Sequence, residues 1–310
     1  MRHAIQTLLL ASLALCPFAR AQCGSALEFD TNRYLAVPSS ASIHSTWNSF
    51  TIEAWVYPTS TPPVFNAIAG EWNDLTASSR GCFIALLNTV PIVYLSHNGG
   101  DYISVNSGVI APLNTWTHVA GTYDGANLRI YVNGVQRGTI PQTGSVFQAS
   151  IPFHIGRLDA GGSTTQFFHG TIDEVRLWNV GRTGAQIVSD MNNAINAPGS
   201  GLVGCWNMNE GSDTTAFDIS GFGNHALASI PSPVWTASTA PISGCCPADL
   251  NHDGIVEDTD FSMFVKAYNI LDCADPAMPA NCPADLNHDG VVEDSDFTLF
   301  VTAYNQLLCS

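Results

Sequence analysis

Between residues 22 and 244, hydrophobic and polar positions alternate in short runs that Gly, Pro, Asn and Asp interrupt. In FTIEAWVYP, Phe50, Ile52, Ala54 and Val56 alternate with Thr51, Glu53, Trp55 and Tyr57, the period of two that sends successive side chains to opposite faces of a strand. In NLRIYVNGVQRG, Leu128, Ile130 and Val132 alternate up to Asn133-Gly134, the strongest short signal for a two-residue hairpin. Many such strands with few helices predict two packed antiparallel sheets. One helix is predicted near residues 182–195. In GTIDEVRLW the alternation places Asp173 with Val175 and Leu177 on the apolar face and turns Glu174 and Arg176 to water.

The period changes near the end of the chain. In DFSMFVKAYN, Phe261, Phe264, Val265 and Tyr268 recur at helical spacing, and Phe297, Phe300, Val301 and Tyr304 do the same in DFTLFVTAYN. One helix cannot bury its own apolar stripe, so the two should pack face to face. Each helix follows a nearly identical string, CPADLNHDGIVEDTDF at residues 246–261 and CPADLNHDGVVEDSDF at 282–297.

Counted from Asp249, positions 1, 3, 5, 9 and 12 of the first string are Asp249, Asn251, Asp253, Glu257 and Asp260, with Gly254 at position 6. The second string gives Asp285, Asn287, Asp289, Glu293 and Asp296, with Gly290 at position 6. A hard cation takes six to eight oxygens at about 2.3–2.6 Å, and a twelve-residue loop wraps one only by turning sharply at position 6, where glycine fits. Position 7 contributes the backbone carbonyls of Ile255 and Val291. Glu257 and Glu293 are expected to act through water, and Asp260 and Asp296 as the bidentate ligands. Two Ca2+ ions are expected.

Composition supports that chemistry. The formal net charge is −16, and residues 245–310 hold twelve Asp and Glu against Lys266 alone, a concentration that calls for a neutralising cation. Nucleic acid and anionic membrane are poor partners for such a chain. At the start, Arg2 and His3 precede an apolar run over residues 4–15 that ends in Ala19-Arg20-Ala21, the pattern of a signal peptide cleaved after residue 21. That run is too short for a membrane span, so a protein secreted or held at the cell surface is expected.

Cysteines beyond the signal peptide are even in number, which in an exported chain points to disulfides. Joining Cys246 to Cys273 would require a return over a helix of about 15 Å. In an antiparallel helix pair the end of one helix lies beside the start of the other loop, so Cys246 is expected with Cys309 and Cys273 with Cys282. For Cys23, Cys82, Cys205 and Cys245 three connectivities stay open.

Six segments, ALEFDTNRYLAVP, FTIEAWVYP, NTWTHVAGTYDGANLRIYVNGVQRG, FHIGR, FHGTIDEVRLWNVGRT and GLVGCWNMNEGSDTTAFDISGFGNHALA, together resemble the LamG-like jellyroll of the concanavalin A-like lectin/glucanase folds over about residues 24–240. The resemblance implies a mostly β fold, a two-sheet antiparallel jellyroll sandwich, and a binding or adhesive role toward glycan or another extracellular polymer. Cys205 stands where that family usually has an aromatic, which marks it as a partner for another cysteine. The loop-helix pair resembles type I dockerins over residues 245–310. That implies a small α-helical, EF-hand-like domain with one calcium per loop and a cohesin-like partner chosen through Asp258-Thr259 and Asp294-Ser295. The organisation expected is a signal peptide at 1–21, the sandwich at 22–244 and the dockerin-like domain at 245–310.

Sugar faces stack on aromatic rings, and sugar hydroxyls need oriented amides or carboxylates. In an expected loop, GEWNDL offers Trp72, Asn73 and Asp74, while SHNGGDY offers His97, Asn98, Asp101 and Tyr102. Trp72, Asp74, Asn98, Asp101 and Tyr102 are the candidate ligand-binding residues, whereas Trp55, Trp116 and Trp178 sit in strand patterns that place them in the core. A buried Asp173 needs donors or a cation, either nearby amides or a further calcium shared with Asp30. Catalysis has little support. Glu28 and Asp30 alternate, but no E-x-D-x-x-E, G-x-S-x-G or H-E-x-x-H string occurs. A non-catalytic protein is expected, with a glycoside hydrolase of the same fold or a purely structural surface protein as alternatives.

Overall fold

Two antiparallel eight-stranded sheets lie face to face. The computed structural model describes residues 24–61, 65–74, 79–159, 165–195, 198–212, 214–242, 248–250, 256–279, 282, 284–286 and 291–304. The signal peptide, Cys23, Cys245, Cys246, Cys309 and the loop residues Asn251, Asp253, Ile255, Asn287 and Asp289 lie outside the described residues.

The first sheet runs in the order Val135–Pro141, Asn127–Val132, Thr117–Tyr123, Phe50–Pro58, Gly170–Trp178, Ser25–Phe29 and Val234–Ala237, with Leu202–Trp206 also paired to Gly170–Trp178. The second runs Thr215–Ala216, Ala226–Ala228, Leu35–Val37, Phe153–Ile155, Phe65–Trp72, Arg80–Leu87, Val90–Leu95 and Ile103–Asn106. Neighbours distant in sequence, such as Phe50–Pro58 beside Gly170–Trp178, are the crossovers of a jellyroll. The chain is mostly β, with three short helices among the described residues.

Alternation sorts the strands as expected on their inner faces. Phe50, Ile52, Ala54 and Val56 from the first sheet meet Ile68, Ile84, Leu86, Val93 and Leu95 from the second in one apolar core. The Asn133-Gly134 turn forms with φ of 49° and 75°, the left-handed pair a tight hairpin between right-twisted strands demands.

The outer face of the first sheet departs from expectation. Thr51, Glu53 and Trp55 are buried along with their inner neighbours, because the helix Gly184–Asp190 and the residues after it roof that face. Ile187 packs on Ala120 and Tyr131, and Ile242 packs on Trp55. The helix is shorter than the predicted 182–195. Thr183 starts it with a capping box, in which Gln186 N donates to the Thr183 hydroxyl and Thr183 N donates to Gln186 Oε1.

The helices Asp258–Tyr268 and Asp294–Tyr304 form a second, separate core. No helix among the described residues is long and apolar enough to cross a membrane.

Candidate functional site

The outer face of the second sheet carries an aromatic cluster. Phe83 lies directly across the ladder from Tyr94, and their rings stack at 4.6 Å. Trp72 sets its edge against both, at 4.8 Å and 5.7 Å, and Phe65 meets the pair from the other side at 6.1 Å and 6.0 Å. Tyr102, just before Ile103–Asn106, completes a corner 5.4 Å from Tyr94 and 5.8 Å from Trp72. Exposure is graded across the corner: Phe83 and Trp72 are buried, Tyr94 is half-buried, and Tyr102 is 55% exposed.

Polar groups hold the corner in place. The Trp72 indole donates to Asp74 Oδ1 at 2.9 Å, and Arg80 Nε donates to the same oxygen at 2.6 Å. The Arg80 guanidinium lies 5.4 Å from the Tyr102 ring and 5.8 Å from Trp72, and it also donates to the Gly100 carbonyl. In the adjoining turn, Asn98 Oδ1 accepts from Gly100 N and Asp101 N at 2.8 Å each, and Asn98 Nδ2 donates to Asp101 at 3.1 Å. Burial pushes the Tyr94 phenol above its usual pKa, with Tyr102 and Asp74 adding to the shift. The phenol therefore stays a donor.

All five candidate ligand-binding residues thus come together, with one correction. Trp72 ends a strand instead of riding a loop, and its ring is a wall that Tyr94 and Tyr102 cover. Tyr94 and Arg80 escaped the sequence reading. Both sit in strand stretches, VPIVYL and RGCFIALL, where nothing distinguishes an open face from a covered one.

Beneath the roof of the first sheet lies a charged network. A β-bulge between Asp173 and Arg176, with Glu174 at φ 50°, puts Asp173 opposite Trp55 and Arg176 opposite Glu53. Asp173 therefore shares the outer face with Trp55 instead of the inner face with Val175 and Leu177. Glu174 and Arg176, expected in water, are buried. Arg176 donates to Glu174 at 2.8 Å and to the carbonyls of Asp190 and Asn193 at 2.9 Å and 2.6 Å, which ties the roof to the sheet. Trp178 donates to Glu53 at 3.1 Å, and His118 Nε2 lies 3.8 Å from the same carboxylate. Burial, with Arg176 nearby, depresses the His118 pKa to about 3.

Asp173 accepts from Ser238 Oγ and, at 2.8 Å, from Glu174 N. Burial first and the Glu174 charge second hold its carboxyl well above the usual range. Asp30 does not join it. Ile172 pairs with Leu27, so Asp30 lies four residues along the ladder from Asp173, about 13 Å at about 3.3 Å per residue. Asp30 is exposed and paired with Arg33 at 3.2 Å. The two acids do not form a shared cation site.

Cys82 and Cys205 are buried free thiols, which corrects the expectation that both are bridged. Cys82 belongs to the main core, whereas Cys205 packs with Trp178 and Leu202. Burial keeps the Cys205 thiol far above its usual range. Asp218, within the longest resembling segment, explains that segment's wording. Its carboxylate accepts from Cys205 N, Ser220 N, Ser220 Oγ and Asn224 N at 2.8–2.9 Å and pins the loop against the sheet.

In the tail, Phe264 and Phe300 meet at 4.9 Å. Tyr268, at the end of one helix, donates to Asp294 at the start of the other, and Tyr304 returns the contact to Asp258, so the helices run antiparallel. Phe261, Val265 and Phe297 are 40%, 38% and 41% exposed, so the buried part of each stripe is narrower than predicted. Cys273 and Cys282 form a disulfide with Cα atoms 5.3 Å apart.

The acids at the two ends of each loop, Asp249 and Asp260, Asp285 and Asp296, are buried. Asp296 accepts from Leu286 N at 2.7 Å and Glu293 N at 3.0 Å, one on each oxygen, and Asp260 accepts from Glu257 N at 3.0 Å. Buried, all-oxygen, acid-rich ends are the donor set a hard cation takes.

A family model for the concanavalin A-like lectin/glucanases superfamily matches residues 29–188. The chain belongs to that superfamily. A "putative carbohydrate binding protein" from Bacteroides ovatus is similar, at 23% identity and a TM-score of 0.58 over 72% of this chain and 62% of that one. A Ruminococcus gnavus sialidase CBM40, solved with α2,3-sialyllactose, is 14% identical with a TM-score of 0.43 over 55% of this chain and 95% of its own. Mouse pappalysin-1 is 38% identical over 77 residues, 24% of this chain. The chain spans about 5% of the length of pappalysin-1.

Proposed function

We propose that the sandwich is a non-catalytic carbohydrate-binding module of an exported protein, and that its acid-rich tail is a dockerin-like, calcium-folded docking unit. The observation that carries the first half is the corner formed by Tyr94 and Tyr102 over Trp72, with Asp74, Asn98 and Asp101 beside it. Two ring faces at an angle offer apolar contact to a sugar, while the phenols, amide and carboxylates meet its hydroxyls. Superfamily membership and the fold shared with the Bacteroides ovatus protein support this use of the scaffold.

Catalysis by a pair of carboxylates would need two available acids at a sugar-sized opening, about 5–5.5 Å apart for retention or about 6.5–9.5 Å for inversion. Asp74 gives one oxygen to both Trp72 and Arg80, and the buried Glu53 and Glu174 are locked around Arg176. The reading is therefore binding without turnover.

For the tail, Asp249, Asn251, Asp253, Ile255, Glu257 and Asp260 would hold one Ca2+, and Asp285, Asn287, Asp289, Val291, Glu293 and Asp296 a second. The ion would supply charge neutralisation that lets the acidic loops close. Because each position-10 acid receives a tyrosine hydroxyl from the opposite helix, a cohesin-like partner would meet Asp258 and Asp294 already engaged.

Affinity electrophoresis through polysaccharide gels, with the same lanes assayed for new reducing ends, tests the module. Retardation without reducing ends is expected. Reducing ends would turn the reading to a hydrolase, and free migration in every gel would turn it to a structural role.

A further inference from the structure

We infer that the Tyr94–Tyr102 corner accepts uncharged polysaccharide and excludes polyanionic chains such as uronates and sulfated glycans; this rests on the carbohydrate reading above. A chain that repeats negative charge needs cations with hydrogen bonds to spare, and the guanidinium fork is the usual solution. Among the described residues, most of this protein's cations already have their charge paired with an acid.

Among the described residues, the basic side chains are Arg33, Arg80, Arg129, Arg137, Arg157, Arg176, Arg182 and Lys266. Six of these are held by acids. Arg33 pairs with Asp30 at 3.2 Å, Arg80 with Asp74 at 2.6 Å, Arg129 with Asp124 at 2.6 Å, Arg157 with Asp159 at 2.8 Å and Arg176 with Glu174 at 2.8 Å, and Arg182 pairs with Asp190. The remaining two lie elsewhere. Arg137 is on the edge strand Val135–Pro141 of the opposite sheet, and Lys266 is on a tail helix.

At the corner itself the local charge is adverse to an anion. Among the described residues Arg80 is the cation beside Tyr102, and its charge is already paired with Asp74, while one of its terminal nitrogens is bonded to the Gly100 carbonyl. Exposed Asp101 stands next to Tyr102. An incoming carboxylate or sulfate would meet a guanidinium whose charge Asp74 already neutralises, and would lie close to the Asp74 and Asp101 carboxylates in a molecule of net charge −16. A neutral sugar pays neither cost, since stacking and hydroxyl contacts ask for no free cation.

The test uses the full chain in gels containing a neutral β-glucan, arabinoxylan or galactomannan, and in gels containing polygalacturonate or alginate, at low and high sodium chloride. Retardation is expected in at least one neutral gel, insensitive to salt, and absent from the acidic gels. Tyr102→Ala, at an exposed position, should weaken the neutral interaction about tenfold, the equivalent of ~1.4 kcal/mol.

Salt-sensitive retardation by polygalacturonate or alginate would overturn the selectivity while leaving carbohydrate binding standing. Neutral binding that survives both Tyr102→Ala and Tyr94→Ala would overturn the assignment to this corner. Free migration in every gel would remove the carbohydrate reading and this inference with it.

Discussion

At the residue scale, the side chains that matter most are those whose burial contradicts their chemistry. His118 is neutral in the fold because its pKa is depressed from 6.5 to about 3, whereas in the unfolded chain it takes up a proton below its ordinary value. Its contribution to stability is therefore present above pH 6.5 and lost as pH falls toward about 3, with a slope of about 1.4 kcal/mol per pH unit. Urea unfolding at stepped pH should show a shallower acid limb for His118→Gln than for the wild type. An identical slope would mean that the imidazole is charged in the fold. Gly70 matters for the opposite reason, that no side chain fits there. At φ 152° its missing Cβ would stand 2.2 Å from Phe83 Cβ and 2.4 Å from the Cys82 carbonyl, backbone that cannot step aside. Gly70→Ala should cost about 3 kcal/mol in the same assay, with the sheet register around Trp72 as the casualty.

At the scale of elements, legibility follows how local each cause is. The strands of FTIEAWVYP and NLRIYVNGVQRG stand where their alternation and the Asn133-Gly134 turn put them, because each signal is contained in a few consecutive residues. The bulge at Asp173–Arg176 was not legible, since an inserted residue is defined by the partner strand and not by the bulged one. The roof over the first sheet escaped for a related reason. Thr51, Glu53 and Arg176 look like a wet face until Val180 and Arg182 are known to satisfy Thr51, Trp178 to satisfy Glu53, and Asp190 and Asn193 to satisfy Arg176. The corner was half legible, its aromatic and acidic residues being visible in GEWNDL and SHNGGDY while Tyr94 and Arg80 hid in strands.

Two element-scale outcomes follow. Thr183→Ala removes the capping box of a seven-residue helix and should cost about 1 kcal/mol, read by urea unfolding. Replacing Cys273 and Cys282 together by Ser frees the closed loop in the unfolded state and should lower the stability of the tail by about 2 kcal/mol, seen as an earlier tail transition in calorimetry with the sandwich transition unmoved.

For the molecule as a whole, two cores with separate membership predict two thermal transitions. All seven tryptophans fall at or before Trp235, so indole fluorescence reports the sandwich alone. If the tail loops hold calcium, chelator should lower one calorimetric transition and leave tryptophan unfolding where it was. A single transition, or two that ignore chelator, would count against metal-coupled folding of the tail.

The roof has a further consequence. With the central strands of one sheet covered on their outer face by Gly184–Asp190 and the residues after it, the sandwich has a roofed back and an aromatic front. A two-faced sandwich could sit between two polymer strands and tie them together. If the front binds a polymer as proposed, it would lie against one strand at a time, so a solitary copy would coat the polymer without gelling it, and cross-linking of fibres would have to come from joining several copies through some other part of the chain.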